Sequence, residues 1–341
     1  MSVEPTDVRP VPPGWKVAVG VVAAVLLVVG VSLLIARAAG FGEVRDAIAK
    51  ADSTWFLACF VAQVVALAGY AAVVREAFRW GNGVEPSFGL SAHVMLASIG
   101  AARVFAAGGA GALAATYWCF RRARFSTGEA LVRVLGFNTL FYVVFAAGAW
   151  LAALLLLLGI WGEAPLGIVI PWLVVIPLCA LVATFVTQPG RVARLARPSG
   201  SMFRRGLAYA IAGISWVREV LPHPAGRRSL GASCLYWGGN LVCLWAALHS
   251  IGESLPLPEL VLAFATGHVA MVLPLPLGGV GGVDAAMTYA LTTVGVALAP
   301  ALVAVGVYRL FAFWVPTMPA LAALILLPSA GRRLERAAAA A

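Results

Sequence analysis

Charge is what this sequence has least of. Asp, Glu, Lys and Arg make up 11% of its 341 residues, while 62% are hydrophobic. An average soluble domain carries about 25% charged residues, so a soluble chain with a water-facing surface is excluded. Histidine is scarce too, and His93, His223, His249 and His268 show no metal-ligand spacing. The five cysteines (Cys59, Cys119, Cys179, Cys234, Cys243) sit singly inside apolar stretches, where they read as small core residues. There is no nucleophile elbow, P-loop or dinucleotide fingerprint, so no cofactor, no metal and no catalytic residue is expected.

What is abundant is apolar sequence in long blocks. Val17–Ala36, Trp55–Val74, Ala130–Leu158, Leu166–Val186, Leu230–Ser250 and Ala301–Leu327 each reach or exceed the roughly 20 residues that cross a bilayer as helix. The expected fold is all-α: a polytopic membrane protein with six full spans. The first block reads as a retained span. Its lead-in mixes Glu4 and Asp7 with Arg9 and Lys16, and its apolar run is longer than a signal core of about 7–15 residues.

The net charge of +10 does not point to nucleic acid, because the cations cluster in short loops beside the spans, as the positive-inside rule requires. With Arg9 and Lys16 inside, Arg75, Arg79, Arg121, Arg122 and Arg124 fall on the same side. So do the central run from Arg191 to Arg228 and the tail arginines 332, 333 and 336, making 18 cations. The opposite loops hold Arg37, Arg45 and Lys50 only. Both termini are therefore expected in the cytoplasm, residues 1–16 and 329–341 as tails, with the protein multi-pass in the plasma membrane.

That count works only if two apolar segments return to the side they left. Residues 88–120 split around Arg103 and Gly108-Gly109-Ala110-Gly111. Residues 260–297 split around Pro274, Pro276 and Gly278-Gly279-Val280-Gly281-Gly282. Each piece runs about 12–16 residues, short for a crossing, and proline and glycine break helices and allow tight turns. Two arrangements fit: re-entrant helix–break–helix hairpins, or pairs of short tilted spans. The breaks lie 170 residues apart, and the charge pattern brings one in from the cytoplasm and the other from outside. An inverted-topology repeat has this signature, with a midplane site between the breaks; chance likeness of Gly/Ala-rich text is the alternative. The halves are then 17–158 and 166–328, joined through 203–221. There Phe203, Leu207, Ile211, Ile214, Trp216 and Leu221 recur at helical spacing among arginines, as in a helix lying on anionic lipid.

The stretch Leu273–Ala286, followed by Val307-Tyr308-Arg309-Leu310-Phe311-Ala312-Phe313-Trp314, resembles the second-half signature of the lysylphosphatidylglycerol synthase transmembrane region. This flippase-like family includes the lipid-translocating half of the multiple peptide resistance factor. Arg121-Arg122 and Ser126-x-x-Glu129-Ala130 resemble its first-half loop. The resemblance runs from about Val17 to Leu327 and implies a lipid-handling membrane protein. Asp284 stands where the family has glutamate, and Ala107 and Ala112 stand where its first half has proline and acid. The aminoacyl-transfer domain has no counterpart here, so lysyl-lipid synthesis is not implied.

Charges inside the membrane are functional candidates because each costs a few kcal/mol: Arg103, Arg133, Asp284 and Arg309. Asp284 suits the positive end of a half-helix, or pairs structurally with Arg309. Arg103 and Arg309 suit a lipid phosphate, unless Arg103 snorkels to a surface. Arg133 is expected to pair with Glu129 one turn away. The amides around Gly108, Gly109, Gly111, Gly278, Gly279 and Gly281 suit an anionic headgroup. Asn138, Asn240 and His268 are expected as interhelical hydrogen-bond partners. Three functions stay open: translocation of an anionic lipid or lipid-linked glycan, a membrane enzyme on a lipid-linked substrate, and a secondary transporter of a small polar solute. The expected partners are membrane lipids with anionic headgroups, not nucleic acid; the oligomeric state is open. Of the two hairpins, the second, with Asp284 and Arg309, is the expected seat of the chemistry.

Overall fold

The computed structural model describes residues 19, 22, 26, 30, 37, 40–49, 51–80, 84–104, 109–163, 165–195, 202–270 and 281–340. Most of the expected first span lies outside that set. The described residues form helices and no strand. Short α1 (Phe41–Ala49) precedes α2 (Thr54–Arg79), followed by a helical pair, α3 (Phe88–Val104) and α4 (Ala110–Arg122). Then come α5 (Thr127–Leu157), α6 (Leu166–Val186), short α7 (Pro189–Leu195) and α8 (Met202–Val220). In the second half α9 (Pro224–Ser250) leads to another pair, α10 (Leu257–Val269) and α11 (Gly282–Thr293). The last long helix is α12 (Leu298–Arg309), a π-helical turn (Leu310–Trp314) and α13 (Val315–Ile325), with α14 (Leu327–Ala340) closing the chain.

Four of these helices are long and apolar enough to cross a membrane: α2, α5, α6 and the continuous α12–α13. The helix α9 matches them in length, with 27 residues, but is less apolar. It is sandwiched among other helices and buries Ser229, Ser233 and Asn240, so protein rather than lipid meets its polar groups. By contrast α6 is apolar all round and only 11% of its spanning window is buried, which places it at the rim.

α2 and α9 pack antiparallel along their whole length. The backbone N–H of Asp52 donates to the Ser250 carbonyl at one end, and Arg228 meets Glu76 at the other. Hydrogen bonds from Thr54 at the head of α2 hold the Asp52 carboxyl below its ordinary pKa. The close approach is made by two glycines. Gly69 sits on the backbone of Ala232 and Tyr236, and Gly239 sits on that of Ala62 and Ala66. Each contact is the other moved by 170 residues.

The two short pairs close on themselves. In the first, the Ser98 and Thr116 hydroxyls join α3 to α4 at 2.8 Å. In the second, Gly267 of α10 rests on Met287 of α11. At about 1.5 Å per residue, helices of 12–17 residues are about 18–26 Å long, short of a hydrocarbon core of about 30 Å. The sequence expectation of two short pieces around each break is met. The breaks themselves, with Gly108, Gly278 and Gly279, lie outside the described residues.

Two segments outside the long spans also pack onto the bundle. The 203–221 segment is helical, but Ala208, Ile211, Trp216, Val217 and Val220 are buried and Gly213 lies on Gly136 of α5. Its apolar face is therefore spent mainly on protein, leaving Leu207 and Leu221 outward. The helix at Leu327–Ala340 packs in the same way. α14 buries Leu327, Ala330, Gly331 and Leu334, Gly331 lies on Trp118 of α4, and Arg122 reaches Glu335 at 2.6 Å. That exposed ion pair is worth at most about 1 kcal/mol; the leucines do the holding. Leu334→Ala is expected to cost about 2–4 kcal/mol, read as earlier thermal unfolding and faster proteolysis after Leu327.

Candidate functional site

The long helix α12–α13 is interrupted near its middle by the π-helical turn Leu310–Trp314. Such turns shift the register of the side chains that follow and recur at functional sites. Here the turn aims Phe313 inward, where it is buried and meets two guanidiniums. The Arg103 Cζ lies 3.6 Å from the ring centroid and the Arg309 Cζ 4.4 Å from it. One arginine ends α3, in the first pair; the other ends α12. Phe313 thus joins the halves through cation–π contacts, a role no spacing in the sequence announces.

The two arginines are not equivalent. The Arg309 Nε is 2.6 Å from Asp284 Oδ1, both side chains about nine-tenths buried. The contact is ionic and close, without an aligned hydrogen bond to that oxygen, and the Arg309 Nη2 is buried without a partner. The other carboxylate oxygen, Oδ2, accepts the Gly281 N–H at 2.9 Å. Gly281 has φ +80°, a left-handed conformation suited to glycine, so Asp284 caps the start of α11 and pairs with Arg309 at once. The sequence left a headgroup ligand and a structural pair open for these two; the pair is formed.

Arg103 has no carboxylate partner among the described residues, and its Nε is buried without a hydrogen bond. It does not snorkel. It lines a cavity of about 890 Å³ bounded by α2, α3, α4, α5, α6, α8, α9 and the α12–α13 region. The wall is mainly apolar. The polar residues in the lining besides Arg103 include Gln63, Tyr70, Asn138, Thr139 and Tyr236. Gly109, at φ +86° with open space on its α-carbon, is part of the same wall, whereas Gly111 is buried within α4. Tyr142 and Val143 of α5 and Cys179 and Ala180 of α6 line the cavity and are themselves exposed. The cavity therefore opens sideways between α5 and α6.

Of the predicted site residues, Arg103 and Gly109 face this cavity, while Asp284, Arg309 and Gly281 stand behind Phe313. In the second hairpin the charges of Asp284 and Arg309 neutralise one another, whereas Arg103 of the first has no carboxylate partner among the described residues. The expected pairing of Arg133 is corrected. It donates to the Ala77 carbonyl at 3.1 Å and lies over the Phe125 ring. Its expected partner Glu129 instead exchanges hydrogen bonds with Ser126 in a capping box. Asn240 and His268 do meet between helices, at the Tyr308 hydroxyl, 3.2 and 3.5 Å away. Asn138 donates to Val134 of its own helix. Gln63, Tyr70 and Tyr236 were not singled out by sequence, since only the packing of α2 against α9 turns them into one space.

A family model described as the lysylphosphatidylglycerol synthase TM region matches residues 20–320. Comparison with curated proteins gave no match.

Proposed function

The chain belongs to the lysylphosphatidylglycerol synthase TM region family, and on that footing we propose that it flips an anionic lipid, or a lipid-linked glycan, between the leaflets of the plasma membrane. The carrying observation is the cavity of about 890 Å³, apolar along most of its wall and open between α5 and α6, whose lining includes Arg103, a cation without a carboxylate partner among the described residues. An acyl chain suits the wall and a phosphate suits the guanidinium. A small polar solute would leave the apolar wall without a matching ligand surface, and a reaction on a bound lipid would find no Asp, Glu or His among the described lining residues.

The topology read from charge supports a midplane position for this site. With Val17–Ala36 and α9 counted beside the four long apolar helices, the chain crosses six times, and the α3–α4 and α10–α11 pairs re-enter from opposite sides. Arg309 and Phe313 lie near the middle of the Leu298–Ile325 helix, and Arg103 touches the same ring. The paired contacts of Gly69 and Gly239 are what a two-fold relation between antiparallel α2 and α9 produces, since an isologous contact repeats itself with partners exchanged. Its axis runs across the two helices, hence in the membrane plane, as in inverted-repeat transporters.

The test is translocation in vesicles. Purified protein reconstituted with tail-labelled phosphatidylglycerol is expected to expose label from the inner leaflet to an external quencher. Arg103→Gln is expected to slow this at least about tenfold, the worth of one charge-assisted hydrogen bond, with stability lowered by no more than about 2 kcal/mol because the cation–π contact with Phe313, but no ion pair, is lost. Absence of transport by the unmodified protein, or equal rates in both, overturns the proposal.

A further inference from the structure

The five cysteines stand singly in the sequence, but the fold brings two of them together. Cys59 of α2 and Cys243 of α9 are free thiols, both wholly buried. The Cys59 Sγ–H donates to the Cys243 carbonyl oxygen at 3.5 Å, and the two thiols stand within hydrogen-bonding reach of each other. The glycine seam is the cause. Gly239 lies on the backbone of Ala62 and Ala66. One turn further along the antiparallel pair, Cys59 follows Ala62 and Cys243 follows Gly239, so the cysteines meet where the backbones already run close. A disulfide needs α-carbons about 4.4–6.8 Å apart, an approach that helix pairs make where small residues line the crossing. The other three differ: Cys119 is buried in α4, and Cys179 and Cys234 are exposed.

We propose that Cys59 and Cys243 are a disulfide-forming pair, a modification site that staples α2 of the first half to α9 of the second whatever the cavity carries. The structure shows its reduced form. Both cysteines lie toward the end of the seam where Asp52 meets Ser250, away from the end where Arg228 meets Glu76. By the charge pattern that is the outer end, and disulfides persist outside the cytoplasm. Cys59 is five residues from Thr54 and Cys243 seven from Ser250, so each is about 8–10 Å from its helix end. Trp55, Trp245 and His249 cluster at that end with ring centroids 4.2 to 5.3 Å apart, as aromatic residues do at a membrane surface. The oxidant is a protein disulfide on the outer side, met before the seam closes. One cysteine thiolate attacks it, forming a mixed disulfide and releasing one oxidant thiol. The second thiolate then displaces the other oxidant thiol and leaves Cys59 joined to Cys243. The oxidant gains the two electrons and two protons that the cysteines lose. Closure of the seam hides the bond from reductants.

The experiment counts thiols in the full chain, purified in detergent without reductant. A first maleimide blocks the exposed Cys179 and Cys234 in the folded protein, and a second, heavier maleimide follows unfolding. Only Cys119 is expected to take the second label. Peptide mapping is expected to find the Cys59 and Cys243 peptides joined, two hydrogens lighter than the separate thiols. Protein reduced with dithiothreitol is expected to melt about 4 °C or more below the joined form, since the bond closes a loop of more than half the chain. Diamide, which takes up the two hydrogens as its hydrazine, is expected to restore the bond at a temperature just below melting. Cys59→Ala is expected to leave Cys243 open to the second label and to show no response to diamide in its melting; Cys243→Ala gives the converse reading if the first variant does not fold. All three buried thiols free both in the protein as purified and after diamide, or a bond from either cysteine to a different partner, overturns the assignment. Failure of lipid translocation leaves this result unaffected.

Discussion

Asp284→Asn is expected to destabilise the protein by about 3–5 kcal/mol, because it leaves the Arg309 guanidinium charged and unpaired in an apolar interior. The pair sits at 2.6 Å with both side chains about nine-tenths buried, and one Arg309 nitrogen already lacks a partner. The double variant Asp284→Asn with Arg309→Met is expected to recover most of that loss, since exchanging a buried pair for groups of similar volume is often nearly neutral. Thermal unfolding in detergent checks both. A single variant as stable as the parent would show that the pair holds nothing together. Translocation by the double variant then separates the roles: activity near the parent's level places Arg309 outside headgroup binding and leaves that work to Arg103.

The second large effect is expected where α2 crosses α9. A methyl group at Gly239 would lie 2.5 Å from the Ala62 carbonyl oxygen, and one at Gly69 would lie 2.6 Å from that of Ala232. Backbone cannot yield as a side chain tip does, so the helices must separate along their length. Gly239→Val is expected to cost about 3 kcal/mol, the upper part of the usual overpacking range. Gly69→Val is expected to cost a similar amount, because its contacts are the same ones shifted by half the chain. Unequal costs, differing by more than about 2 kcal/mol, would count against the internal two-fold relation. Melting curves of the two single variants are sufficient.

These expectations draw on different layers of information. The apolar blocks Trp55–Val74, Ala130–Leu158, Leu166–Val186 and Ala301–Leu327 were readable directly, because a bilayer selects on length and hydropathy one segment at a time. The two short pairs were readable for the same local reason: glycine and proline break helices whatever surrounds them. α14 was not, since its Leu327, Ala330 and Leu334 declare a face only when α3 and α4 are there to receive it. Arg133 was misread because a neighbour four residues away in sequence competes with Ala77 and Phe125, which only the folded chain brings near.

The sequence by itself determined the solvent of this protein, its α-helical class and the family to which it belongs, together with the short list of charges inside the apolar region. Each of these follows from residue type and spacing along one helix. Which of those charges is free was decided by tertiary structure. Asp284 and Arg309 are 25 positions apart and cancel, while Arg103, which lines the cavity, has no carboxylate partner among the described residues. Pairing depends on distance in space, and a π-helical turn that swings Phe313 between two arginines is set by packing across the halves.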